Sequence, residues 1–345
     1  MATEWQALGT AAYVDTGAVF GSADYTTIVL NHGFGFHGAI MSPMEPFAAK
    51  HNARLVIVNR RDHPGSAPYI EVELALLRHM DGLSPQEACS PLDAFMRDRA
   101  LELYEFVCAW AHQAGIPSAS GPTGGIVLAS WSMGASWLMA LLSSIASSTS
   151  RDAPFASLGY LSPSDAYAPL LDEDIPPPDR PSTVLSWISG YYSHDGAVDG
   201  LERRTSSTSP TPTLGRMTLE QLQGVFTASA AGEDGPDTLH LRLSEVTGAS
   251  ALFRHRVLFH NGSHAMRPNH WAALPIRHVA CNRSVWHMPW CAAALRRELD
   301  EAKDDTRRVR DVEIVTLMGA NHFAHWDEPY RLMHLLHWEG SSSPH

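Results

Sequence analysis

The chain has 345 residues, 44% of them hydrophobic, which suits one domain with an insertion or two domains at most, with a core large enough to need no disulfide staples. The formal net charge of −12, spread along the chain, argues against nucleic acid or an anionic membrane as partner. Cys89, Cys108, Cys281 and Cys291 form no C-x-x-C, the Met1 end lacks the basic and apolar regions of a secretory signal, and no apolar run is long enough to span a bilayer; together these predict a cytoplasmic protein without dithiol or zinc chemistry.

In chain order, residues up to about Gly21 predict an antiparallel edge. Residues 26–31 predict a buried strand that runs into His32-Gly33-Phe34-Gly35-Phe36-His37-Gly38. A strand ending in His-Gly with further glycines can turn a backbone N–H towards a developing oxyanion, and the Phe34 N–H would be that donor. The same run also reads as a plain glycine-rich turn. Residues 54–59 predict the next strand, residues 60–66 its turn, and residues 91–114 a long amphipathic helix. Asp62 in that turn reads as structural, paired with Arg60 or Arg61.

Residues 125–135 (GIVLASWSMGA) are the most informative stretch. A short apolar run, 126–130, ends in serines and small residues, and a helix-forming stretch, 135–142, follows. This is the layout of a nucleophile elbow, a sharp strand-to-helix turn that lifts one serine Oγ above a sheet. Ser132 takes the nucleophile position of G-x-S-x-G, Ser130 stands at the first glycine and Gly134 at the second. Small flanks are needed because the backbone is strained there and neighbouring elements pass close. The Met133 N–H, just after the nucleophile, would be the second oxyanion donor. The alternative is a turn whose serines only cap the helix.

Residues 156–161 predict a further strand. From about 167 to 275 the strand pattern disappears, and prolines and glycines punctuate short helical pieces such as 181–193 and 218–229. This reads as an inserted, mostly helical cap between a first core part, 1–166, and a last one, 276–345. Trp187, Tyr191, Tyr192, Phe226, Phe253 and Trp271 either line a pocket for a bulky, apolar small molecule or form the cap's own core. His260, His264 and His270 lack the helical spacing and carboxylate partner of a metal site. No phosphate-binding glycine pattern occurs. Neither metal nor cofactor is therefore expected.

The sheet resumes at 276–281, followed by a helix over 291–303 and a last strand over 312–317. The loop after it carries His322 and His325, then Asp327. A histidine between the last strand and the last helix is placed to act as general base, which requires it to reach Ser132 Oγ within about 2.6–3.2 Å. His322 is the candidate. His325 enters the helix, and Asp327 caps or charges that helix's N-terminus rather than serving catalysis.

These stretches resemble the α/β-hydrolase superfamily: His32-Gly33-Phe34, Ser130-Trp131-Ser132-Met133-Gly134 and Gly319-Ala320-Asn321-His322-Phe323. More narrowly, Val58-Asn59-Arg60-Arg61-Asp62-His63-Pro64-Gly65-Ser66 is similar to a fungal group found with polyketide or peptide secondary-metabolite genes, with weaker matches at 168–170, 187–189 and 283–286. The resemblance implies an α/β fold: a mostly parallel, twisted eight-stranded sheet with helices on both faces and an inserted helical cap. It also implies ester, lactone or thioester chemistry on a natural product. The superfamily places a carboxylate after the seventh strand, where this chain has Ser284, or in a variant after the sixth, where the narrower group's Asp-Pro falls on Ser162-Pro163. Asp165 is the carboxylate close to that strand end, read either as the acid that orients His322 or as a helix N-cap. Three functions follow: a serine hydrolase; a non-hydrolytic cyclase or isomerase of a polyketide-derived intermediate in the same pocket; or a non-catalytic ligand-binding relative. The expected partner is a small apolar substrate.

Overall fold

A computed structural model describes residues 4–120, 123–145, 158, 160, 162–163, 165–176, 179–196, 198–260, 274–303 and 308–337. Strands β1 (Gln6–Leu8), β2 (Ala11–Asp15), β3 (Thr26–Asn31), β4 (Ala53–Asn59) and β5 (Ile126–Ser130) form one sheet in the order β1-β2-β4-β3-β5. The β1–β2 and β2–β4 pairs are antiparallel, as expected for the N-terminal edge, and β3 pairs in parallel with β4 and β5. Every residue of β3 and β4 is buried, which is why their middles, 28–30 and 55–58, read as apolar without alternation.

The sheet is covered on both faces. Ile28, Leu30, Leu55 and Ile57 pack on one side with Ile40, Met41, Met44 and Met333. Val29, Val56 and Val58 pack on the other with Tyr13, Phe106 and Trp110. The period of two along each strand thus divides adjacent residues between two cores.

The helices in order are α1 (Glu45–Ala48), α2 (Glu71–Asp81), α3 (Pro85–Ala114), α4 (Ala135–Ile145), α5 (Arg180–Ile188), α6 (Leu219–Gln223), α7 (Ala228–Ala231), α8 (Pro236–Thr247), α9 (Ala249–Leu258), α10 (His287–Ala302), α11 (Ala324–Asp327) and α12 (Pro329–Leu336). The long helix begins six residues before the expected start. Ser84 Oγ accepts from the Glu87 N–H while the Glu87 carboxylate accepts from the Ser84 N–H, a capping box with proline at the first helical position. Pro236-initiated α8 and its successor α9 pack against α2, α3 and α4, with Leu239, Leu243 and Phe253 in the same cluster as Leu77, Phe95 and Trp137.

The remaining strands are β6 (Phe259–His260), β7 (Ile276–Cys281), β8 (Arg308–Val309) and β9 (Val312–Leu317). Among the described residues β7 and β9 form a separate parallel pair, and β6 with β8 a short antiparallel one. Among the described residues the expected eight-stranded sheet is not seen whole: they form a five-stranded sheet and two separate two-stranded ladders. The strand expected at 156–161 falls outside the described residues apart from Leu158 and Tyr160. Among the described residues no helix is long and apolar enough to cross a membrane.

Candidate active site

The parallel strands deliver two loops to one place. β5 runs directly into the turn, where the Trp131 N–H donates to the Asn31 carbonyl (3.0 Å) and so keeps the turn against the end of β3. Ser132 then takes φ +54°, a left-handed conformation that costs a non-glycine residue free energy and persists only where the surroundings enforce it. The enforcement is visible at its neighbours. A Cβ on Gly134 would sit 2.4 Å from the His32 carbonyl oxygen, and one on Gly33 would sit 2.9 Å from the Trp131 ring and 3.0 Å from Ser132 Cβ. The two glycines let the β3 loop and the elbow touch. Ser132 itself is exposed, and α4 begins three residues later, so the positive end of a helix dipole lies beside it.

The β3 loop presents Phe34, whose N–H, like that of Met133, donates to no other group among the described residues. Phe36 lies deeper, in edge-on contact with Trp131 (5.6 Å between centroids), Phe226 (5.2 Å) and Phe323 (5.4 Å). This aromatic cluster forms the floor under the elbow.

His322 reaches the same floor from β9. The Trp131 indole N–H donates to the His322 carbonyl at 2.9 Å, and the two rings lie 5.3 Å apart. The structure thus brings His322 beside the residue that precedes Ser132. Asn321 holds the loop from the other side. Its amide donates to the Ser189 carbonyl and to Thr213 Oγ1, both at 2.7 Å, and its Oδ1 accepts from the Phe323 N–H at 2.9 Å. Burial pushes the His322 imidazole down to about 4, so it is neutral at pH 7. His325 and His287 are pushed further, to about 3, first by burial and then by the nearby His322.

The carboxylates go elsewhere. Asp165 lies on the surface with its side chain 66% exposed, and it accepts from Arg203 at 2.7 Å. That hydrogen bond, rather than any to His322, holds its carboxyl below the ordinary range. The structure therefore does not bring Asp165 to His322. Ser162 is exposed, whereas Ser284 is fully buried with an Oγ that has no hydrogen-bond partner among the described residues. Asp327 lies in the single turn of α11, as expected for an acidic residue at that helix's start, and accepts from Tyr191 Oη (2.6 Å), Thr213 and Arg216 (2.6 Å). Asp62 pairs with neither arginine but caps the Tyr69 N–H (3.1 Å), while Arg61 binds Glu73 and Glu102.

Of the aromatic residues expected around a pocket, Tyr191, Tyr192 and Phe253 are buried in packing, and Phe253 belongs to the core between α3, α4 and α8. Trp187 donates to the Arg203 carbonyl. Trp271, His264, His270 and the His260 side chain lie outside the described residues. Among the described residues no group of histidines, cysteines and carboxylates could hold a metal ion.

Two residues that shape the site carry no signal in the sequence alone. Trp131 reads only as the residue between Ser130 and Ser132, and its bond to the His322 carbonyl spans 191 residues. Arg60 reads as a turn residue, yet it is buried under the β3 loop.

No family model matches the sequence, and no curated protein proves similar to it. Solved structures are similar over nearly the whole chain. Potato (Solanum tuberosum) epoxide hydrolase I is 15% identical, with 97% of each chain covered and a TM-score of 0.52. An epoxide hydrolase from Vigna radiata is 11% identical, covering 97% of this chain and 96% of that one, with a TM-score of 0.51. A laboratory-evolved variant of the potato enzyme is 13% identical, with 97% of each chain covered and a TM-score of 0.52. At these identities the likeness is one of fold: the chain has the α/β-hydrolase fold.

Proposed function

We propose that this protein is a serine hydrolase-type enzyme of the cytoplasm that acts on an ester, lactone or thioester of a bulky apolar natural product in secondary metabolism. Ser132 attacks the carbonyl, His322 takes its proton and returns it to the leaving group, and the Phe34 and Met133 N–H groups hold the oxyanion. The segment 167–275 serves as the cap over the site. The observation that carries the reading is the strained Ser132 turn, at φ +54°, tied through Trp131 to the His322 loop. The fold supports hydrolytic chemistry only by analogy, because one fold hosts many activities. The similar solved structures are those of epoxide hydrolases, so epoxides belong in the same substrate screen.

The acid assigned to the triad is Asp165, which can orient His322 only in a state where it has left Arg203. A second reading rests on that geometry. With His322 lacking a carboxylate partner among the described residues, the pocket would guide ring closure or isomerisation of a polyketide-derived intermediate by binding and proton transfer. Intact-mass labelling with a fluorophosphonate separates the two. One adduct on the wild type and none on Ser132→Ala supports the nucleophile. Labelling of Asp165→Asn slowed by up to about 10⁴-fold supports the triad. A wild type that stays unlabelled sinks the hydrolase and leaves the cyclase.

A further inference from the structure

Beneath the β3 loop lies a buried ion pair that the proposed chemistry does not itself use. Arg60 follows β4 and Asp237 stands in the first turn of α8, 177 residues away, and both side chains are 5% exposed. The pair is bidentate in effect, with Arg60 Nη2 at 3.0 Å from Oδ1 and 2.9 Å from Oδ2 of Asp237. Burial alone would raise the Asp237 pKa; the Arg60 charge and the His63 and Gly35 contacts outweigh it and keep the group ionised.

What the pair holds is the loop. The Asp237 carboxylate accepts from the Gly35 N–H at 2.8 Å. The Arg60 guanidinium donates to the His32 carbonyl and, at 3.2 Å, to the Gly33 carbonyl. The Arg60 N–H donates to His32 Nε2 at 3.0 Å, and the guanidinium lies over the Trp137 ring at 4.5 Å. The Gly33 carbonyl and the Phe34 N–H belong to one peptide plane and, in a trans peptide, point in opposite directions. Drawing the carbonyl onto Arg60 therefore turns the Phe34 N–H away from the ion pair, on a loop whose Gly33 touches Ser132.

We infer that the Arg60–Asp237 pair is a positioning device for the oxyanion donor: it fixes the Gly33–Phe34 peptide plane so that the Phe34 N–H faces the reacting carbonyl. The inference rests on the Ser132 reading above and adds two residues that do not touch the substrate. It also gives a role to an ion pair so deeply buried, since such pairs contribute little net stability compared with apolar replacements of similar volume.

The test replaces both charges together, because removing one would leave the other buried and unpaired. Fluorophosphonate inactivation of the Arg60→Met/Asp237→Leu protein is resolved into reversible affinity (KI) and bond-forming rate (kinact), beside its thermal midpoint. With the donor misdirected, kinact should fall about 10²–10³-fold, the loss typical of one missing oxyanion donor, at unchanged KI, while the midpoint falls by the cost of the Gly35 N–H and loop carbonyls left without partners. A merely structural role would lower the midpoint and weaken KI with no separate loss in kinact. Arg60→Lys serves as a second variant that keeps the charge pair: a single ammonium cannot span a carboxylate and two carbonyls, so kinact should fall by about tenfold with the fold intact. A kinact equal to wild type in a folded variant overturns the inference while leaving Ser132 as nucleophile. A wild type unlabelled at Ser132 overturns the nucleophile itself and the inference with it.

Discussion

Lowering the pH should unfold this protein well above the range in which carboxylates titrate, because its buried histidines are held neutral. His240, His322 and His325 are 2%, 7% and 1% exposed. Burial pushes His240 and His322 from 6.5 down to about 4 and His325 to about 3. The unfolded chain binds these protons near pH 6.5 and the folded one does not until about pH 4, so the stability these groups leave intact above pH 6.5 drains away as the pH falls between the two. At about 1.4 kcal/mol per pH unit, His240 and His322 are worth about 3 kcal/mol each. The two together approach half or more of the about 5–15 kcal/mol that typically holds a native state. Urea unfolding followed by tryptophan fluorescence at half-unit steps from pH 8 to 4.5 measures this directly. The free energy should be flat above pH 7 and then fall with a slope of more than two protons. His240→Phe keeps a ring against Trp137, 4.6 Å away, but removes one titration, so its slope should be shallower by about 1.4 kcal/mol per pH unit. A stability that is unchanged between pH 7 and 5 would refute the reasoning.

Gly33→Ala places a Cβ 3.0 Å from Ser132 Cβ and 2.9 Å from the Trp131 ring; it should cost about 1–3 kcal/mol of stability by overpacking and slow Ser132 labelling, whereas wild-type labelling would mean the loop has room. Trp131→Phe removes the indole donor to the His322 carbonyl and should destabilise by about 1 kcal/mol, with a larger loss in labelling rate than in stability as the check that the bond positions His322. The labelling rate of the wild type should hold from pH 7.5 to 5.5, because the imidazole that must be neutral protonates only near pH 4; a fall centred near pH 6.5 would contradict its burial.

Much of the site was legible because its causes are local. The turn at Ser132 needs small neighbours, and Gly134 supplies one within two residues. A glycine-rich run after a buried strand announces the β3 loop, and a histidine after the last strand announces the candidate base. The two central strands were equally plain, since burial on both faces writes unbroken apolar runs at 28–30 and 55–58 within them. The short strands β6 and β8, two residues each, left no such pattern to read.

What residues far apart in the chain do to one another was decided only by the fold. Asp165 stands near the expected strand end in sequence, but Arg203, 38 residues on, takes its carboxylate at the surface. Asp327 adjoins the base loop, yet Tyr191, Thr213 and Arg216 claim it. Arg60 meets Asp237 under the β3 loop across 177 residues. Charge and hydrogen-bonding capacity are written in each residue, but the partner that satisfies them is chosen by which segments tertiary packing brings within about 3 Å, and no local pattern encodes that choice.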